Sequence, residues 1–144
     1  MIATLALMLA AAPALPSSLP LDPEGLASLP RASATLVAHG ESHMCEGVWL
    51  ADLAAANGLP SGPAVSGPAL SILIRAEAAD GYRVLFTLGE IDRKLGNRSV
   101  LIADRCDGKA LDEADGPLRL VVPGEARAAR SVRQLRRLVV LPES

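Results

Sequence analysis

The sequence predicts a strand-rich α/β domain of the mixed (α+β) kind, and three observations carry that reading. Apolar runs of strand length recur along the chain, bounded by turn residues. Asp80-Gly81 and Asp107-Gly108 each supply a dipeptide that reverses a chain between strands. Helical spacing is confined to short stretches, of which residues 49–57 are the clearest.

The elements follow in chain order. Residues 34–38 (ATLVA) read as a short strand, and 39–45 as a strand running into a turn. Residues 49–57 place Leu50, Leu53 and Ala54 on one helical face, with Gly58 as the stop. The Pro- and Gly-dense stretch 59–68 reads as a loop. Residues 70–76 (LSILIRA) and 82–87 (YRVLFT) flank Asp80-Gly81 as a hairpin. A short helix is expected within 87–95 and a strand at 99–104 (SVLIAD). An acidic loop at 111–116 and strands at 118–122 and 138–141 complete the set.

A chain of 144 residues makes one domain and can bury a sizeable core. Half of it is hydrophobic but only 2% is aromatic, namely Trp49, Tyr82 and Phe86. The core must therefore be built from Leu, Val, Ile and Ala. A net charge of −2 gives no global attraction to nucleic acid or acidic membranes. Residues 1–14 are apolar and uncharged and end in Ala12-Pro13-Ala14, the A-x-A form of a secretory signal peptide. Residues 15–31 are Pro- and Ser-rich and read as a flexible leader, which leaves 32–144 as the folded domain. The expected location is periplasmic or secreted, with no membrane attachment after cleavage.

Several segments carry a family resemblance. They are Cys45-Glu46-Gly47-Val48-Trp49-Leu50-Ala51-Asp52-Leu53, Asp80-Gly81-Tyr82, residues 101–111 and the run GPLRLVVPGEARAARSVRQ from Gly116 to Gln134. In that order they resemble the molybdopterin-binding domain of the sulfite-oxidase-like oxidoreductases. The resemblance implies that fold, shortened at the N-terminus, with molybdopterin as the family's cofactor and a pterin phosphate near the arginine-rich loop. It makes Arg130 and Arg133 the anion-binding candidates. The family's metal-ligating cysteine would lie upstream of Cys45, where this chain has none. The expectation is thus a short relative without molybdenum and without catalysis.

The residues that bear chemistry have competing readings. Arg127, Arg130, Arg133, Arg136 and Arg137 form either an anion site or a solvated face balanced by Asp112, Glu113 and Asp115. Cys45 and Cys106 are either a disulfide, stabilising the fold by roughly 4 kcal/mol, or two separate buried thiols. His39, His43 and Cys45 could supply a soft copper or zinc site, although their spacing matches no standard finger. Asp80 and Asp107 precede Gly, where a turn calls for Asp, and no nucleophile elbow, zinc-protease helix or P-loop occurs.

Three functions follow. The first is an exported, non-catalytic module that binds a small anion or a partner protein through the arginine loop. The second is a molybdopterin-dependent oxidoreductase that uses Cys45 as a displaced ligand. The third is a periplasmic copper- or zinc-binding protein.

Overall fold

The computed structural model describes Ala3 and residues 14–141. The proposed signal peptide therefore lies almost wholly outside the described residues. The described chain is a strand-rich α+β domain with two antiparallel sheets and short helices.

The first sheet has the order β1-β9-β4-β5, formed by Ser18–Leu19, Leu135–Leu141, Leu73–Ala78 and Arg83–Thr87. The second runs β2-β3-β6, formed by Ala32–Ala38, Glu41–Trp49 and Leu101–Cys106. The far edge of β6 pairs with both β7 (Lys109–Ala110) and β8 (Arg119–Val121). Helices α1 (Pro23–Ala27), α2 (Leu50–Ala56) and α3 (Leu88–Ile91) are short, and 3-10 turns cover Gly62–Ala64, Gly67–Ser71 and Ala128–Arg130.

Alternation decides which face of each strand is buried. On β4, Ile74 and Ala76 point inward, opposite Val140 and Leu138 of β9. Phe86 of β5 sits opposite Ile74 and is fully buried. These side chains meet Leu50 and Leu53 of α2, Ile91 of α3 and Leu120 of β8 in one aliphatic core. A smaller cluster lies under the second sheet, where Ala34, Leu36, Cys45, Leu101, Ala103 and Val121 pack with Ala128.

The turns hold the register. His39 and Gly40 both adopt positive φ and close β2 onto β3 in two residues, as do Asp107 and Gly108 between β6 and β7. Thr87 caps α3 with a reciprocal capping box to Glu90. At Gly47 the pairing with β6 shifts register and the backbones approach closely. A Cβ there would lie 1.8 Å from the Ile102 carbonyl oxygen.

Three readings of the sequence are corrected. Residues 15–31 are not a loose leader: β1 pairs with β9, Asp22 caps α1, and Leu19 is buried. Leu15, Leu21, Leu26 and Leu29 pack on the main core, so the segment contributes enough apolar surface to be held. The strand expected at 70–76 starts only at Leu73, because Gly67–Ser71 forms a 3-10 turn that leaves Leu70 exposed. The last strand begins at Leu135, which puts Arg136 and Arg137 on β9 and removes them from the loop.

Gly47→Ala is expected to destabilise the domain by about 3 kcal/mol or more, because backbone and not a flexible side chain fills the space. Urea denaturation checks it, and an alanine variant of unchanged midpoint would refute the close approach.

Candidate functional site

A cleft of about 970 Å³ opens at one end of the molecule. One wall is the tip of the β2–β3 hairpin, with Leu36, Ala38, His39 and His43. The arginine loop adds Ala128, Ala129, Val132 and Arg133, with Ala128 packed on the hairpin's own cluster. The β4–β5 turn, the β6–β7 turn and the acidic loop close the ends. The Tyr82 hydroxyl donates to the Ala129 carbonyl at 2.6 Å, tying the β4–β5 turn to the arginine loop.

The five arginines singled out in the sequence separate into different environments. Arg130, an expected anion ligand, has every guanidinium nitrogen engaged internally. Nε meets the Glu125 carboxylate at 3.2 Å, and Nη1 donates to the Leu85 carbonyl and to Glu90, each at 3.0 Å. Nη2 reaches Glu90 at 3.4 Å and Glu125 at 2.7 Å. The group also stacks over Phe86 at 4.6 Å. Hydrogen bonding to Glu125 and then Glu90 raises its pKa further, against the opposing effect of burial. An incoming anion would have to displace two carboxylates, so Arg130 is a structural clasp. Arg127, Arg136 and Arg137 are exposed and do not line the cleft.

Arg133 does line it, two-thirds exposed, with Asp115 at 4.0 Å. Beside it stands Arg119, which sequence reasoning passed over as part of an apolar strand. Its side chain is only 8% exposed. Nη2 donates to the Ser131 carbonyl at 3.0 Å, and Nε approaches the Leu120 carbonyl at 3.5 Å. Nη1 has the Asp115 carboxylate at 3.5 Å and makes no hydrogen bond among the described residues. Burial pulls the pKa of Arg119 below its ordinary value. The available signal was an arginine inside the run LRLVV, where a strand buried on both faces has no ordinary place for a charge.

The carboxylates around the cleft are mostly committed. Asp80 accepts from the Tyr82 N–H at 3.0 Å, and Asp112 from the Asp115 N–H at 2.9 Å. Asp107 accepts from the Met44 N–H at 3.1 Å through one oxygen and contacts His43 Nδ1 at 2.6 Å through the other. That last contact raises the pKa of His43 and lowers that of Asp107.

Cys45 and Cys106 face each other across β3 and β6 and are joined by a disulfide, S–S 2.05 Å. Of the two outcomes the sequence left open, the bridge is the one formed. The copper or zinc reading fails on this bond. Cys45 is fully buried with its sulfur committed, and His39 sits at the hairpin tip. Among the described residues no group of three His, Cys, Asp or Glu side chains is arranged to hold a metal. The same bond decides the fit to a molybdenum centre with a cysteine ligand. The chain's two cysteines are bonded to each other, so neither offers the thiolate that such a centre takes from the protein.

Two outcomes are expected. The paired replacement Cys45→Ala with Cys106→Ala should lower stability by roughly 4 kcal/mol, the chain-entropy value for a loop of this length, measured by urea denaturation against the wild type. His43 should titrate above the ordinary histidine value of about 6.5, and Asp107→Asn should bring its NMR midpoint back down. The signs follow by linkage. The raised His43 pKa contributes stability that is complete below about pH 6.5 and is lost as pH rises through the folded value. The lowered Asp107 pKa contributes stability that is complete above about pH 4 and is lost as pH falls through the folded value. The pair therefore stabilises most between about pH 4 and 6.5.

Set against known proteins, the chain matches no family model and no curated sequence.

Proposed function

We propose that the chain is an exported, non-catalytic binding domain that takes an anion in its cleft through Arg119 and Arg133. In this reading it is a shortened relative of the sulfite-oxidase-like molybdopterin domain that works without molybdenum. The observation that carries it is the Arg119 guanidinium, nearly buried in the cleft wall, with Nη1 paired to the Asp115 carboxylate only at 3.5 Å. A nearly buried guanidinium gains from each further charge-assisted hydrogen bond it makes. A carboxylate or phosphate oxygen arriving there adds a closer acceptor than Asp115, and Arg133 adds a second donor from the exposed side.

The other parts of the reading have their own support. Both cysteine sulfurs are committed to the bridge, which favours function without a cysteine-ligated metal. A disulfide persists in an oxidising compartment, in keeping with the apolar residues 1–14. The family relationship rests on the motif order in the sequence together with an α+β domain in which β8, the arginine loop and β9 adjoin.

Acetate titrated into labelled protein should shift the Arg119 and Arg133 Nε–Hε NMR signals saturably. Arg133→Gln should weaken that binding about tenfold, the loss of one charge-assisted hydrogen bond. If neither acetate nor phosphate moves those signals, the anion reading is wrong. Elemental analysis of protein purified from its export compartment addresses the metal: stoichiometric molybdenum would overturn the metal-free assignment.

A further inference from the structure

The anion reading leaves open what the anion is, and three features of the cleft narrow it. The first is size. A volume of about 970 Å³ is that of a small-molecule site, and an inorganic ion would fill only a corner of it. The second is charge. Arg119 and Arg133 both lie against Asp115, at 3.5 and 4.0 Å, so the three groups together carry one net positive charge. A singly charged ligand is matched by those three groups, and the rest of the lining, with Glu41, Asp80, Asp107 and Asp112 against Lys109, offers no further net positive charge. A dianion would be left in excess, facing Asp112 and Asp107 across the same cleft. The third is the lining. About half of the lining is apolar and mostly small, and Ala38, Leu111, Ala128 and Ala129 supply it between the polar side chains. The carboxylates at the rim are turned to N–H groups of their own turns, as at Asp80 and Asp112.

We propose that the ligand is a monocarboxylate with an apolar body, seated with its carboxylate on Arg119 and Arg133 and its body along the alanine and leucine wall. This rests on the anion-binding reading of the same cleft and names the class of anion. The two halves of such a ligand answer two different needs of the site. The carboxylate gives Arg119 Nη1 a closer acceptor than Asp115, and the body displaces water from the apolar part of the lining. Affinity should then rise with the length of the body, by about threefold for each methylene that reaches the wall.

The test is a titration series with acetate, butanoate, octanoate and inorganic phosphate, read on the Arg119 and Arg133 side-chain signals and on the alanine methyls. Octanoate is expected to bind at least tenfold more tightly than acetate, and phosphate no more tightly than acetate. Ala129→Glu places a charge beside the apolar lining and should weaken octanoate about tenfold more than it weakens acetate, whose own loss reports the added repulsion near the arginines. A flat chain-length series, or phosphate binding more tightly than octanoate, would overturn the ligand class and leave the anion site standing. Silence of both arginines toward all four probes would overturn both.

Discussion

The arginine loop has no regular sheet to hold it, and among the bonds that place it the Arg130 guanidinium reaches the most elements. Arg130 spans from that loop to the edge of the first sheet at Leu85, to α3 at Glu90 and to its own loop at Glu125, with its guanidinium over the Phe86 ring. The planar fork of arginine suits this task, because its donors point in several fixed directions at once. Phe86 is itself fully buried opposite Ile74, so the clasp is anchored to the main core. Everything on the loop inherits that position, including the two alanines and Arg133 that line the cleft.

The hairpin side is held by different means. The β2–β3 hairpin is a two-strand extension that packs on a small aliphatic cluster, and the bridge between Cys45 and Cys106 fixes it to β6. His43 and Asp107 add a second link at the same level, and Arg31 forms a paired contact with Asp104 at 2.7 and 2.8 Å lower down. The exposed ion pair contributes little by itself, about 1 kcal/mol at most. Covalent and polar links thus position the hairpin side, and the Arg130 clasp together with the bonds of Ser131 to Arg119 and Val122 positions the loop side, with the Tyr82 hydroxyl spanning between turn and loop. A cleft bounded in this way is largely formed before any ligand arrives, which lowers the ordering cost of binding.

Much of this architecture was legible in local sequence. Strands β4, β5, β6 and β8 announce themselves by apolar runs, and Asp80-Gly81 and Asp107-Gly108 announce the reversals between strands. The helix after Trp49 and its stop at Gly58 follow from spacing and a positive φ. What could not be read depends on partners distant in sequence. Strand β1 is two residues long and exists because β9, more than a hundred residues later, offers it an edge. The bridge depends on the register of β3 against β6, which no local pattern encodes. Arg130 and Arg133 look alike in the sequence, yet one is consumed by Glu90 and Glu125 and the other is not. Arg119 was hidden for the opposite reason: its apolar neighbours dominate the run and mask the single charge within it.

The sulfur bridge also divides the chain in a way the sheets do not. It closes a covalent ring across a sequence separation of 61 residues, and that ring contains α2, the β4–β5 hairpin and α3. Strands β1 and β9, which complete the first sheet, lie outside it on the two tails. The exposed stretch at residues 66–68 is the kind of surface segment where a protease cuts, and it lies inside the ring. A single cut there would sever the backbone without parting the molecule, since the two pieces would remain one covalent species through sulfur. Their separation would then require reduction as well as unfolding.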